Sequence, residues 1–304
     1  MVMAGMAKRW WLALITVTLL VGCASDPAAQ FEHLPVATPR QPSLQDQVAA
    51  VRIGQFLDAA DRDEAELALL FYQRGLYFSR MGLDWLAHVD FRRAVELRPD
   101  FAEAYNQLGV QFTLMGQFDD AYEALDSAIE LAPNADFPLL NRGIALHYAG
   151  HHQLALSDLE NYYRRDTSDP YRVIWLYLIQ RELDPVAASA RLGHLRPMVR
   201  EGWGRILLAY FSGELSATEL LRRAAEAEHD NVEGDPADRD ERLCEAYFYI
   251  GQQLLAEGNS KAAANYFRLA AATNIFEFVE HNFALYELQQ LAVADSGDGS
   301  GPAT

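Results

Sequence analysis

Apolar residues recur every three or four positions along most of the chain, and no stretch alternates apolar and polar residues at period two. Prolines and glycines gather at the ends of these helical stretches, where they interrupt the backbone pattern of a helix. A longer period lies over the short one, because residues 68–135 contain two copies of the same pattern, 34 residues apart. The chain is therefore predicted to be all-α and built from helical hairpins.

The two copies agree at the positions that shape a hairpin. Pairs of matching residues lie 34 apart: Gly75 and Gly109, Ala87 and Ala121, Phe91 and Leu125, and Pro99 and Pro133. This order is the tetratricopeptide repeat (TPR) pattern. The glycine lets the second helix approach the first at the alanine, the large apolar residue fills the gap, and the proline ends the second helix.

The same template extends beyond the clean pair. We expect three repeats over residues 68–169, the third with Gly143 and Ala155 and an altered exit, in which Tyr162 replaces a small residue. The period is lost in an irregular helical segment at 170–243. It returns in a C-terminal repeat and closing helix at 244–293, with Gly251, Ala263 and Phe267 in the template positions. The expected architecture is a TPR solenoid with a helical insertion and a C-terminal capping helix.

The N-terminus is typical of an export signal. Lys8 and Arg9 precede a short apolar run, which ends at Leu20-Val21-Gly22-Cys23 and is too short to span a bilayer. This ending resembles the signal-peptidase box of bacterial lipoproteins, which implies that residues 1–22 are removed and Cys23 is acylated. Ala24 is not the aspartate that would resemble an inner-membrane retention signal, so we expect an outer-membrane anchor on the periplasmic face. The alternative is an ordinary secretory signal that ends near a cysteine.

Two segments are expected between the anchor and the repeats. Residues 23–42 contain four prolines and no helical period, which predicts a flexible tether. Residues 43–67 contain an apolar helical stripe that begins after a capping serine, Ser43. This stripe could cap the first repeat or pack against a second copy of the chain, and the sequence leaves both open. Residues 294–304, rich in glycine and serine, are expected to be a disordered tail.

Charge and motifs limit the functions that are possible. The net charge is −18, and residues 1–22 contribute two positive charges and no acid, which leaves −20 on the remainder. A body this acidic repels phosphate backbones, so nucleic acid is not an expected partner. The sequence has no phosphate-binding loop, zinc-protease motif or nucleophile elbow, and no cofactor, metal or catalytic residue is predicted. Cys244 is expected to be a buried, inert thiol, and His151 and His152 an exposed turn pair.

The repeats predict a concave surface for a protein partner. It should be lined by the first helix of each hairpin, and the candidate residues are Tyr72, Leu76, Arg80, Asn106, Val110, Phe137, Leu140 and Tyr148. TPR domains that clamp a C-terminal carboxylate need a lysine and an asparagine where this chain has Tyr72 and Leu76, so that function is not expected. An alternative is that the C-terminal helices fold back and bury the aromatic residues.

The chain resembles a narrower group through several stretches in the same order. YQRGLYFSRMGLDWLAHVDF, LNRGIALHYAG, DPYRVIWLYL and FVEHNFALYEL make it similar to the NlpI family, TPR-containing outer-membrane lipoproteins of Gram-negative bacteria. The resemblance implies a homodimer in which the N-terminal helices contribute to the interface. It also implies an adaptor that brings peptidoglycan hydrolases, especially endopeptidases, to a periplasmic C-terminal-processing protease, and so regulates cell-wall turnover and division.

Two other functions remain open at this point. One is a TPR lipoprotein of a machine that inserts outer-membrane proteins or assembles a pilus secretion system. The other is a hydrolase in its own right, which the missing catalytic motifs disfavour.

Overall fold

The computed structural model describes residues 34–58, 62–226 and 238–298, and these residues form 14 α-helices, one 3₁₀ turn at Arg196–Met198 and no strand. The prediction of an all-α TPR solenoid is confirmed. The helices are α1 Leu44–Leu57, α2 Glu64–Arg80, α3 Asp84–Leu97, α4 Ala102–Leu114, α5 Phe118–Leu131, α6 Phe137–Tyr148, α7 His152–Arg165, α8 Pro170–Leu183, α9 Pro185–Leu195, α10 Trp203–Phe211, α11 Ala217–Glu226, α12 Arg239–Ala256, α13 Ser260–Ala271 and α14 Val279–Asp298.

Four hairpins share one packing device, namely a glycine on the first helix against a large side chain on the second. A Cβ atom added to Gly75 of α2 would lie 2.7 Å from the ring of Phe91, and one added to Gly143 of α6 would lie 2.7 Å from Leu159. These distances are shorter than side chains accept, so only glycine lets the helices come this close. The same contact joins α4 to α5 through Gly109 and Leu125, and α12 to α13 through Gly251 and Phe267.

The remaining template residues complete these hairpins. The alanines of the second helices are fully buried at the helix crossings: Ala87, Ala121, Ala155 and Ala263. Pro99 and Pro133 lie in exposed turns after α3 and α5 have ended. Tyr162, which replaces a small residue in the third repeat, is buried under the guanidinium of Arg172, 4.1 Å from the ring centre. The altered exit of this repeat is thus filled by an aromatic and a cation from the next helix.

Two hairpins also contain a buried ion pair. Arg74 donates two hydrogen bonds of 2.7 Å to Asp90, and Arg142 donates two of 2.7 Å to Asp158. In the intervening hairpin, the equivalent positions are the apolar Leu108 and Ala124. Each of the first three hairpins therefore has either a complete ion pair or two apolar residues at these positions. A single buried charge would cost several kcal/mol.

The irregular segment is a helical layer around α8. Ten residues of α8 are buried, which fits its continuous apolar sequence, and the helix packs against α7, α9 and α10. Trp203 begins α10 at a tight corner, where its indole nitrogen donates a 2.9 Å hydrogen bond to Glu245 of α12. Gly204 fits against Pro170, with 2.5 Å from its virtual Cβ to the proline ring. The insertion is therefore fixed to the C-terminal repeat.

The boundaries of two elements differ from those expected. Helix α12 begins at Arg239 rather than at 244, because the Asp238 side chain caps it by accepting hydrogen bonds from the amides of Asp240 and Glu241. Helix α14 continues to Asp298, so residues 294–298, expected to be part of a disordered tail, are helical. The expected signal at 1–22, Cys23, the first part of the tether, residues 227–237 and the last six residues lie outside the part of the chain that the structure describes.

The second half of the expected tether is not free. Residues 35–42, here called the strap, lie against the C-terminal repeat. Arg40 is central: its guanidinium contacts Asp238 at 2.5 Å and Glu241 at 2.7 Å, and its amide donates to the carbonyl of Thr273 at 2.8 Å. Asn274 donates to the Arg40 carbonyl. Composition suggested a flexible segment, but these contacts hold it in place.

The C-terminal end of the chain returns to the first hairpin. The Phe276 ring lies 2.6 Å from a virtual Cβ on Gly82, whose φ of +71° marks the α2–α3 corner. Arg80 pairs with Glu277 at 2.8 Å beside this contact. Helix α14 then follows, and it packs mainly on α13 and α12 and also touches α4. The solenoid therefore closes partly on itself, with α14 against the first helices of the repeats.

Replacing Gly75 with alanine tests the packing device. We expect Gly75→Ala to lower the free energy of unfolding by about 1–3 kcal/mol, because the added methyl group overlaps the buried ring of Phe91. Urea unfolding followed by circular dichroism measures it. Gly193→Ala is the matched control, since a Cβ there meets no atom within 4 Å. It should be neutral or stabilise by up to about 1 kcal/mol. Equal effects of the two changes would contradict the packing argument.

Candidate functional site

The concave surface of α2, α4 and α6 divides into an open part and a covered part. In the open part, Tyr72, Asn106 and Phe137 line one pocket of 180 Å³. The other residues of its lining come from the same helices and from the turn before α6: Ala102, Glu103, Gln107, Ala132, Ala135 and Pro138. Three of the eight candidate groove residues thus meet at one place, although they are separated by 31 to 65 positions in the sequence.

The aromatic walls of this pocket differ in exposure and packing. Tyr72 is half-buried, with ring centres 4.8 Å from Phe101 and 5.9 Å from Phe91, so its orientation is fixed by packing. Burial and the nearby carboxylate of Glu103 raise the pKa of Tyr72, so its hydroxyl stays protonated at neutral pH. Phe137 is 65% exposed at the start of α6. An exposed ring opposite a fixed one is suited to contact with an incoming side chain.

Asn106 of α4 and Asn141 of α6, one position out of register with the 34-residue period, form a short ladder across two repeats. Asn141 of α6 donates a 2.9 Å hydrogen bond from its side-chain amide to the side-chain oxygen of Asn106 in α4. This bond leaves the amide group of Asn106 and the oxygen of Asn141 for other partners. Both side chains are half-buried. The ladder presents a donor and an acceptor of the kind that pairs with an extended backbone.

The covered part is occupied by α14. Tyr148, at the end of α6, stacks on Phe283 with ring centres 4.8 Å apart and planes 2° from parallel, and its hydroxyl donates to Glu287 at 3.0 Å. Leu140 is buried, with 6% of its surface exposed. The fold-back considered from the sequence therefore applies to Tyr148, whereas Phe137 remains open. Leu76 and Val110 are half-buried between these two regions.

Arg80 lies at the edge of the groove rather than in its floor. Its guanidinium contacts Glu277 at 2.8 Å and Asp46 of α1 at 3.8 Å. It joins the end of the first repeat to α1 and to the turn before α14. We therefore assign Arg80 a structural role, whereas Tyr72, two turns earlier in the same helix, lines the open pocket.

Two glutamates of α14 are buried as it docks. Glu280 accepts a 2.6 Å hydrogen bond from Tyr249, and Glu287 accepts one of 2.7 Å from Gln252. Burial raises the pKa of both carboxyl groups, because it disfavours their charged forms. Sequence reasoning placed the closing helix but missed these acids. Their signal is weak, since an acid within an apolar helix is as often on its exposed face.

Burial keeps Cys244 and His147 in their neutral forms. Burial raises the pKa of Cys244, so the thiol stays protonated. The ring nitrogens of His147 and His152 lie 3.2 Å apart, and burial lowers the pKa of His147 to about 3. Within residues 34–58, 62–226 and 238–298, no three His, Cys, Asp or Glu side chains are placed to hold a metal ion. Over the same residues, no helix combines the length and apolar character needed to cross a bilayer.

Comparison with known proteins supports the repeat assignment. The family model described as tetratricopeptide repeat matches residues 102–135, which contain α4 and α5. The fold is similar to YrrB, a TPR protein with an unusual peptide-binding site (12% identity, TM-score 0.41, 79% of this chain and 100% of that one). It is also similar to pilF of Pseudomonas aeruginosa (18%, 0.42, 76% and 99%) and to a TPR protein from Parabacteroides merdae (13%, 0.48, 81% and 91%). Similarities this distant transfer no function.

Residues 102–135 thus match a tetratricopeptide repeat, and the described residues fold as a TPR solenoid, which implies a scaffold for protein–protein interaction. The repeats, the family match and the open pocket agree on this level of description.

Substitution of Glu280 tests how α14 is held. A carboxyl group with a raised pKa stabilises the folded state below its ordinary value of 4.5, and this contribution is lost as pH rises through the folded-state pKa. Glu280→Gln keeps the acceptor for Tyr249 without the charge. We expect the free energy of unfolding of the natural chain to fall relative to this variant as pH rises above about 4.5.

The difference between the two proteins is the quantity to measure, by urea unfolding at several pH values. Burial lowers the pKa of His281 and of His147. These two groups make the free energy of unfolding rise with pH near their ordinary pKa of 6.5, and they do so equally in both proteins. Glu277→Gln, at a site more than half exposed, is the control and should change the slope little. A Glu280→Gln curve parallel to that of the natural chain would show that the pKa of Glu280 is the same in the folded and unfolded states.

Proposed function

We propose that this protein is a lipid-anchored periplasmic adaptor that binds peptidoglycan hydrolases, endopeptidases above all, and a C-terminal-processing protease, and so regulates cell-wall turnover and cell division. The observation that carries the proposal is an interaction scaffold whose groove keeps one open, aromatic pocket at Tyr72, Asn106 and Phe137. The similarity to the NlpI family in the repeats, in the irregular segment and in the closing helix supports the choice of partners.

The anchor is part of the proposal. The sequence at Cys23 supports acylation, and a lipid anchor would concentrate the adaptor at the inner face of the outer membrane. Each acyl methylene buried in a bilayer contributes about 0.8 kcal/mol, so a multiply acylated cysteine would hold even a strongly acidic body at the membrane. Wall hydrolases and their protease would then meet where the wall is remodelled.

A homodimer is the third part, with α1 at the interface. One face of α1 packs on α2 through Ala50 and Ile53, so this helix caps the first repeat. Its other face leaves large apolar side chains in solvent: Leu44 is 74% exposed, Val51 63% and Val48 40%. Apolar side chains concentrated on one exposed helix face support burial against a second copy.

A pull-down from envelope extracts tests the adaptor. The tagged mature chain should recover a processing protease together with a wall endopeptidase. Phe137→Asp should reduce recovery about tenfold or more, since it puts a charge where an apolar ring meets the partner. Leu154→Asp, at a 59% exposed site on α7, is the matched control and should bind normally. Recovery of neither partner would overturn the proposal, and recovery of a barrel-insertion or secretin component would favour an assembly lipoprotein.

Light scattering tests the dimer. The double variant Leu44→Asp with Val51→Asp should reduce the measured mass to that of one chain, because two charges would have to be buried in the interface. Both sites are mostly exposed, so the fold of each protomer should persist. Val186→Asp, at an 80% exposed site in the first turn of α9, is the control. An unchanged mass of the double variant would exclude α1 from the interface.

A further inference from the structure

The open pocket has the shape of a side-chain receptor. Its inner surface is built from small and compact residues, Ala102, Ala132, Ala135 and Pro138, which leave space instead of filling it. Tyr72 and Phe137 form aromatic walls on either side. A volume of 180 Å³ accommodates one apolar side chain of medium size together with part of its backbone. The walls and the inner surface therefore favour an aliphatic or proline residue.

The charge at the rim of the pocket is negative. Glu103 of α4 is exposed, and among the described residues no Lys, Arg or His nitrogen lies within 4 Å of its carboxylate. Two arginines that contact residues in or next to the pocket lining are engaged with other acids. Arg98 stacks on Phe101 and contacts Asp100 at 3.7 Å, and Arg165 contacts Asp136 at 2.9 Å. An occupant that supplies a cation would compensate a charge that the chain itself leaves open.

The asparagine ladder adds a requirement on the backbone of the occupant. Its free donor on Asn106 and free acceptor on Asn141 match the alternating carbonyl and amide groups of an extended chain. In an extended segment, residues i and i+2 point to the same side, about 7 Å apart. Because Glu103 itself lines the pocket, an apolar side chain in the pocket and a cation at Glu103 would come from the same side of an extended segment, and the nearest such residues are two apart.

We infer that the open pocket binds an extended peptide segment in which an aliphatic or proline residue and a lysine or arginine lie two positions apart. This inference rests on the proposed function, because it gives the chemistry of the partner at the same groove. A C-terminal carboxylate does not fit, since no unpaired cation lines the pocket among the described residues. A lipid surface does not fit either, because a concave site with a carboxylate at its rim cannot lie flat on a membrane.

Binding of short labelled peptides to the full mature chain tests the inference, with fluorescence anisotropy as the readout. The peptides share one serine- and glutamine-rich frame and contain Leu-Gln-Arg, Leu-Gln-Glu or Ser-Gln-Arg. We expect Leu-Gln-Arg to bind about tenfold more tightly than either of the others, because each loses one of the two contacts. Equal binding of the arginine and glutamate peptides, or no binding of any of them, would overturn the inference.

Variants of Glu103 assign the preference to its carboxylate. Glu103→Gln should remove the difference between the arginine and glutamate peptides, and Glu103→Arg should reverse it. Glu130→Gln, at an exposed site on α5, is the matched control and should leave the preference unchanged. Circular dichroism before each titration shows that the variants are folded. Failure of Glu103→Arg to reverse the preference would refute the assignment.

The two proposals can fail separately. If the pull-down recovers its partners in a manner that depends on Phe137 but the peptides show no charge preference, the adaptor function stands and the peptide chemistry is wrong. If the peptides bind as expected but envelope partners are not recovered, the pocket serves a different clientele and the proposed function is wrong.

Discussion

The contact between a glycine and a large apolar side chain sets the geometry of every regular hairpin in this protein. At Gly75, Gly109, Gly143 and Gly251, a methyl group would overlap the residue that faces it. Because the contact is the same in each hairpin, the first three hairpins repeat one relative arrangement of their helices. Repetition of one arrangement places the first helices α2, α4 and α6 side by side, and these helices form the groove. The pocket thus depends on three glycines, Gly75, Gly109 and Gly143, that are not part of its lining.

The buried ion pairs show how much freedom the hairpin interior has once that contact is made. Arg74 with Asp90 and Arg142 with Asp158 occupy positions that Leu108 and Ala124 fill in the second repeat. A complete pair satisfies its own charges through two hydrogen bonds, and two apolar residues have no charge to satisfy. Half of a pair would satisfy neither condition. The hairpin interior therefore accepts either an ion pair or two apolar residues, but not one member of a pair alone. The glycine positions, by contrast, accept no larger side chain.

The difference between these two kinds of position explains what could be predicted from the sequence. Gly75, Ala87 and Phe91 lie within one hairpin, and matching residues recur 34 positions later in the next hairpin. This period reveals the fold and the helices that line the groove. The contacts of the strap with α12 and of α6 with α14 join residues more than 130 positions apart, such as Arg40 with Glu241 and Tyr148 with Glu287. Such contacts depend on the summed rotation from one hairpin to the next along the solenoid, and no local sequence pattern predicts this rotation. For this reason Tyr148 and Phe137, both aromatic residues on α6, could not be separated into covered and open residues beforehand.

The return of α14 also decides which repeats can specify a partner. Once Tyr148 is stacked on Phe283 and hydrogen-bonded to Glu287, its end of the groove is part of the core and is constrained by packing. The open end draws one main contact from each of three successive repeats, through Tyr72, Asn106 and Phe137. None of these residues takes part in a glycine contact or in a buried ion pair. Phe137, which is 65% exposed, can therefore change without loss of the solenoid, whereas Tyr72 also packs on Phe91 and Phe101. Partner preference can vary most freely at Phe137.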